Sequence, residues 1–232
     1  MKKNVYEVEK NIEKILRGGA TGFLTSNVSK DIQSKLKKQE YQIFTPYQEA
    51  EKVIISGGKV PEIRLYKIEC YEKEKLKHSS ILGSLFGLNI AGEMFGDIVL
   101  YDGDYYFYVL EEIGDFILEQ FMMVGNLPIK LVKVDCHFLD DYQRDYEDYE
   151  FIVTSERIDT IIARIIGCNR DKVQDKIKDK SVLLNGDILN RSSYLLRNGD
   201  TFSIRGFGKY CYFGVKGVTK KNHYVVLIKK YV

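Results

Sequence analysis

No stretch of this 232-residue chain approaches the roughly 18 consecutive apolar residues that a membrane-crossing helix needs, so no membrane partner is expected. The first residues, Met1-Lys2-Lys3-Asn4, lead into a charged segment, which is not the pattern of a secretory signal. The four cysteines, Cys70, Cys136, Cys168 and Cys211, form no C-x-x-C pair. Their spacing argues against a zinc site or a disulfide framework and for reduced thiols in the cytoplasm. Three histidines, His78, His137 and His223, are equally scattered, and their spacing proposes no metal. A dinucleotide fingerprint and an H-E-x-x-H are missing, and Gly206-Phe207-Gly208-Lys209 is too short for a phosphate-binding loop. Tryptophan is absent, against 17 tyrosines. The expectation is a chain with no cofactor, no metal site and no catalytic residues.

What is present is an ordinary globular balance, 44% hydrophobic and 29% charged. The net charge of +2 conceals an asymmetry. Residues 151–232 carry a net +9, residues 79–150 a net −12 and residues 1–78 a net +5. A basic segment on a near-neutral chain is a footprint for a polyanion, although a solvated lysine surface looks the same.

Hydrophobic periodicity divides the chain into an N-terminal α/β region (1–60), a central domain (61–138), an acidic linker (139–152) and a C-terminal domain (153–232). In the first, Val5, Val8, Ile12, Ile15 and Leu16 recur at helical spacing up to Gly18-Gly19, and a second helix is expected over 29–38. The central order is strand 63–70, helix 76–88, strands 97–101 and 105–110 around Asp102-Gly103, helix 111–124 and strand 129–136. That β-α-β-β-α-β order is the ferredoxin-like or RRM-like motif, so the overall class is α+β. Tyr106 and Tyr108 would share a sheet face, but the acidic surroundings favour packing over base stacking, and the domain reads as a spacer or protein-contact module. Gly83 and Gly87, four apart, suggest close approach of another backbone, and His78 suits a helix cap. Residues 140–150, polar and acidic without periodicity, read as linker.

The C-terminal domain opens with two short helices. Ile158, Ile161, Ile162 and Ile165 give the first an apolar face closed by Gly167; Asn169 can cap the second, with Val173 and Ile177 inward. Asn185-Gly186 and Asn198-Gly199 are turns, and strands are expected over 182–184, 201–205, 210–215 and 224–228. Lys172 and Lys176 share a helix face, with Lys180 one turn on, and Arg170 sits at the helix start. Arg191, Arg205 and Lys209 come from the β part. Together these cations could follow RNA phosphates; the plain alternative is a solvated helix paired with Asp171, Asp175 and Asp179.

Arg157-Ile158-Asp159, Asn169-Arg170, Leu184-Asn185-Gly186 and Gly199-Asp200 resemble, in order and spacing, the R-L-D, S-R, V-N-G and G-D stations of the S4 RNA-binding family. Lys180-Ser181 stands where that family usually has glycine. Upstream, residues 78–88 resemble the H-x-x-[FI]-L-G-[AS]-L-x-G-L stretch of the YlmH family; Gly96-Asp97-Ile98 and Arg205-Gly206-Phe207-Gly208-Lys209 fit the same family. The resemblance implies a central RRM-like domain and a C-terminal S4 (αL-type) domain with a β extension. It also implies a bacterial, cytoplasmic protein that binds structured rRNA or tRNA on the 50S subunit in quality control of stalled translation; a monomer is expected. The RNA-binding residues would be Arg157, Arg170, Lys172, Lys176, Lys180, Asn185, Arg191, Arg205 and Lys209. A binding protein is expected rather than an enzyme. The alternatives are an S4-guided RNA-modifying enzyme, since Arg157-Ile158-Asp159-Thr160 superficially matches a pseudouridine synthase motif, and a cell-division factor.

Overall fold

The computed structural model describes residues 2–36 and 39–231, so Lys37 and Lys38 of the second expected helix lie outside the described residues. The chain divides into two compact units, Met1–Gln143 and Arg144–Val232. No described helix is long and apolar enough to cross a membrane. The class is mixed α and β, with six α-helices and antiparallel sheets among the described residues.

In the first unit, α1 (Lys2–Leu16) and α2 (Ser26–Leu36) flank a three-stranded sheet of β1 (Leu24–Thr25), β2 (Gln42–Phe44) and β3 (Lys52–Ser56). Val8, Ile15, Ile32 and Leu36 bury their side chains against Leu24 and Ile55. Val5 and Leu16, counted in the same apolar row by sequence, are exposed. There follow β4 (Ile63–Glu69), α3 (His78–Gly87), β5 (Phe95–Tyr101), β6 (Asp104–Leu110), α4 (Gly114–Gln120), β7 (Met123–Val124), β8 (Leu127–Pro128) and β9 (Lys130–Val134). The long strands form an antiparallel sheet in the order β5-β6-β4-β9. The expected β-α-β-β-α-β succession is therefore present, with one correction. The helix expected over 111–124 is a single 3-10 turn and α4, and Met123 instead pairs with Pro128 across a Gly125 turn at φ +57.

Alternation puts Phe107 and Val109 on the helix side of the sheet, with Ile81, Leu85, Ile117 and Phe121. Tyr106 and Tyr108 point to the other side. There Phe23, Tyr47, Ile54, Leu139 and Tyr142 cover them. Asp97 pins this cover, its Oδ2 accepting from the Tyr47 hydroxyl (2.9 Å) and the Glu51 (2.7 Å) and Lys52 (3.3 Å) amides. No backbone crowds Gly83 or Gly87; close backbone approach lies at Gly57 and Gly22, where a Cβ would stand 2.0 Å from the Ile15 and 2.3 Å from the Glu93 carbonyl oxygen. A Cβ at Gly96 would stand 3.0 Å from the Phe23 ring and the Tyr108 Cβ, whereas one at Gly83 or Gly87 meets nothing within 4 Å. Lys77, not His78, holds the N-cap of α3 and makes no side-chain capping bond.

The second unit is β10 (Tyr146–Val153), α5 (Ile158–Ile166), α6 (Arg170–Lys178), β11 (Val182–Leu184), β12 (Asp187–Ile188), β13 (Thr201–Ile204), β14 (Gly208–Val218) and β15 (Tyr224–Tyr231). Its sheet runs β10-β15-β14-β13-β11-β12, all antiparallel. Ile158, Ile161, Ile162, Val173 and Ile177 pack onto Val182, Phe202, Ile204, Tyr212, Val226 and Ile228. Burying each such side chain contributes about 1.5–3 kcal/mol. The second half of the acidic segment read as linker is a strand: β10 pairs residue for residue with β15 from Tyr146–Tyr231 to Val153–Tyr224. Its carboxylates lie beside lysines of β14 and β15, Glu150 with Lys216 (2.6 Å), Glu147 with Lys230 (3.1 Å) and Asp148 with Lys229 (3.7 Å). Three cations of the basic tail are thereby neutralised within the fold.

Candidate nucleic-acid interface

The α5–α6 pair is built by its caps. Gly167 ends α5 at φ +63, and the Cys168 amide reaches back to the Ala163 carbonyl (3.0 Å). Asn169 caps α6, its Oδ1 accepting from the Lys172 amide at 3.1 Å. At the far end the Lys180 amide bonds the Ile177 carbonyl (3.0 Å) and the Ser181 amide the Lys176 carbonyl (2.9 Å), a Schellman motif. The left-handed position that this motif requires is filled by Lys180 at φ +55, where the resemblance expected glycine.

The expected site residues fall into separate groups. Arg157 and Arg170 converge on Asp159, which is fully buried. Arg157 Nε and Nη2 donate to Asp159 Oδ1 (3.1 Å) and Oδ2 (2.8 Å), and Arg170 Nη2 donates to Oδ2 (2.8 Å). Burial pushes the Asp159 carboxyl up, but the two guanidiniums outweigh it and hold the group below the usual carboxylate range. These arginines thus serve the fold first, although their side chains keep 34% and 49% exposure and turn further N–H groups to solvent.

The second group lies along α6 and at its end. Lys172 is exposed and makes no ion pair among the described residues. The expected pairing with Asp171, Asp175 and Asp179 is realised between Lys178 and Asp175 (3.4 Å) rather than at Lys172 or Lys176. Lys176 Nζ lies 5.1 Å from the centroid of the Phe207 ring, at the tip of the β13–β14 hairpin. The Arg205 amide donates to the Ser181 carbonyl (2.9 Å), fixing Arg205 beside the Lys180 turn. Lys176, Lys180 and Arg205 therefore gather where helix end meets hairpin tip.

The remaining residues stand apart. Asn185, at φ +50 in the β11–β12 turn, is committed to the fold: its Nδ2 donates to Asp200 (2.9 Å) and its Oδ1 accepts from the Thr201 amide (2.8 Å). Arg191 is exposed and bonds Ser193 (3.0 Å). Lys209 pairs across from Ser203, on the sheet face opposite the helices, with Nζ 4.7 Å from the Tyr231 ring centroid. Sequence reading gave no role to Phe207; an aromatic between two glycines in a basic run was the available signal.

Asp135, Cys136 and His137 bring three potential metal-ligand atoms within 4.8 Å of one another. Asp135 accepts from the His137 amide (2.9 Å), and His137 Nδ1 lies 3.1 Å from Asp140, the bonding of an ordinary exposed turn.

A family model described as "Putative RNA-binding domain in YlmH" matches residues 61–137. The chain is also similar to "Ribosome-associated protein quality control protein P2" of Bacillus subtilis (strain 168), 29% identical over 170 residues, 73% of this chain and 66% of that protein. It thus spans just under two thirds of that relative's length. Among solved structures, "Cell division protein ylmH from Streptococcus pneumoniae" matches 58% of this chain and 90% of its own at 18% identity and a TM-score of 0.47.

Proposed function

We propose that the chain belongs to the YlmH family and is a ribosome-associated RNA-binding protein that grips structured RNA through its C-terminal unit. The carrying observation is the gathering of Lys172, Lys176, Lys180 and Arg205 along one helix and the hairpin tip beside its end. Two caps and a turn fix these cations in place, and such an array suits consecutive phosphates of a folded RNA. The α5–α6 pair leading into a hairpin, with the Asn185–Asp200 clamp, supports reading this unit as an S4 domain. The β5-β6-β4-β9 order supports an RRM-like central domain. The further reading is binding of rRNA or tRNA on the large subunit, in the cytoplasm, during quality control of stalled translation.

We read the protein as non-catalytic. Asp159, which would be the nucleophile in a modification enzyme's R-x-D motif, is fully buried and held by two arginines. If this reading holds, rRNA and tRNA from a deletion strain keep every modification by mass spectrometry; loss of a defined one refutes it. The binding reading is tested with Lys172→Ala/Lys176→Ala and a structured rRNA fragment. Each lost phosphate contact lowers the slope of log affinity against log salt by about 0.7–0.9, so the pair lowers it by roughly 1.4–1.8. An unchanged slope and affinity would remove α6 from the interface.

A further inference from the structure

Phe207 has no work in a purely phosphate-following interface, yet Lys176, one of that interface's cations, lies over its ring. It is 41% exposed and joins none of the hydrophobic cores. Its backbone is nonetheless held firmly, the amide donating to the Ile204 carbonyl (2.9 Å) and the carbonyl accepting from the Tyr210 hydroxyl (2.8 Å). Gly206 (φ +84) and Gly208 (φ +113) flank it in left-handed geometry that side chains rarely adopt, and a Cβ at Gly206 would meet nothing within 4 Å. The ring therefore stands partly exposed on a tight hairpin tip. Around it are cations from separate elements: Lys176 Nζ 5.1 Å from the ring centroid, Arg205 next in the hairpin, and Lys180 in the turn that Arg205 bonds.

A flat π surface among ammonium and guanidinium groups matches one chemical partner closely, a nucleobase with phosphates on either side. In an uninterrupted A-form duplex the base faces are already stacked and offer nothing to a ring. We propose that Phe207 stacks on an unpaired base, so the RNA bound at this interface is a helix interrupted by a bulge, loop or flipped nucleotide. This inference rests on the RNA-binding reading above and adds the class of target. The lysines supply salt-dependent affinity, and the ring supplies the preference for an open base.

The test uses the full chain and two RNA probes, a hairpin with a three-nucleotide bulge and the same helix fully paired. Phe207→Leu keeps an apolar side chain and removes the π face. It should weaken binding to the bulged hairpin by about 5- to 150-fold, the range for one stacked base, with binding to the paired helix and the salt slope unchanged. Phe207→Trp should retain binding. Because the chain otherwise has no tryptophan, its emission reports on that site alone and should be quenched by the bulged RNA and not by the paired one. Equal affinity of wild type and Phe207→Leu for the bulged hairpin, or equal quenching by both RNAs, overturns stacking while leaving phosphate binding intact. Absence of salt-dependent binding of either RNA by the wild type overturns both readings.

Discussion

Replacing Lys180 with glycine should stabilise the C-terminal unit and weaken its grip on RNA, two effects of opposite sign from one side chain. Lys180 occupies the left-handed position of the α6 Schellman motif at φ +55. An L-residue there costs about 1–2 kcal/mol, because Cβ crowds the following carbonyl. Glycine removes that cost but loses about 0.5–1 kcal/mol more backbone entropy on folding. The net gain is about 0–1.5 kcal/mol, which in a unit the size of Arg144–Val232 raises the unfolding midpoint by up to roughly 12 °C. Lys180 also stands beside Arg205 at the helix end, so its removal deletes one phosphate contact and lowers the salt slope by about 0.7–0.9. Calorimetry on the second unit and salt-titrated binding of the full chain measure the two separately. Lys180→Asn, which also tolerates the left-handed region, should give part of the stabilisation and the same loss of binding. A lower midpoint for Lys180→Gly would refute the strain argument. An unchanged salt slope would show that the strained lysine is not kept for phosphate.

Asp159→Ala leaves two half-exposed guanidiniums without their shared carboxylate and should cost about 1.5–3 kcal/mol by chemical denaturation; a loss under 1 kcal/mol would contradict the pairing seen. Because the folded Asp159 carboxyl is held below its usual range, its contribution is present above the unfolded value near pH 4 and is lost as pH falls through the folded value. Asp159→Asn should therefore flatten the acid limb of the stability curve. Lys52 is shifted the other way, lowered to about 8 by burial against the opposing pull of Asp97 and Glu51. Between pH 8 and 10 the unfolded chain binds the extra proton, so this group makes the first unit more stable as pH rises, and Lys52→Met should abolish that rise. Asp97→Ala removes the acceptor of three hydrogen bonds and should cost about 2–4 kcal/mol, with faster hydrogen exchange at the Glu51 and Lys52 amides; unchanged exchange there would refute the pinning role. Residues 1–143 alone should bind structured RNA far more weakly than the full chain, and matching affinity in a gel-shift titration would overturn the assignment to the second unit.

Much of the C-terminal unit was legible because its signals are local. The isoleucine row of α5, the Gly167 stop, the Asn169 cap and the Asn185-Gly186 turn each act over a few residues, and each stands where sequence put it. Strand β10 was not legible. Its aromatic and acidic residues have no amphipathic period of their own and become a strand by pairing with β15, nearly the full length of the unit away in sequence. The same limit hid the fate of the arginines. Arg157 and Arg170 meet on Asp159 only after α5 and α6 have packed, so spacing alone could not separate a phosphate contact from a buried ion pair. Gly83 and Gly87 mislead for the converse reason: a helical spacing of small residues describes one surface and says nothing of what lies against it.

The two units carry aromatic-rich sheets, and the difference in what covers them argues for where RNA recognition falls. In the first unit both faces are closed, one by α3 and α4 and the other by Phe23, Tyr47, Leu139 and Tyr142, so Tyr106 and Tyr108 present no ring to a base. Residues 79–143 of that unit are net −9, which opposes phosphate at any distance where charges are felt. RNA binding by the domain spanning 61–137 would have to use edges and loops rather than the sheet. In the second unit the acidic strand β10 sits beside Lys216, Lys229 and Lys230, which removes those lysines from the polyanion footprint and leaves the α6 row and the hairpin tip as its centre. The acidic segment that read as a linker therefore neutralises the edge of the sheet and confines unpaired positive charge to where helix end and Phe207 meet, the interface proposed above.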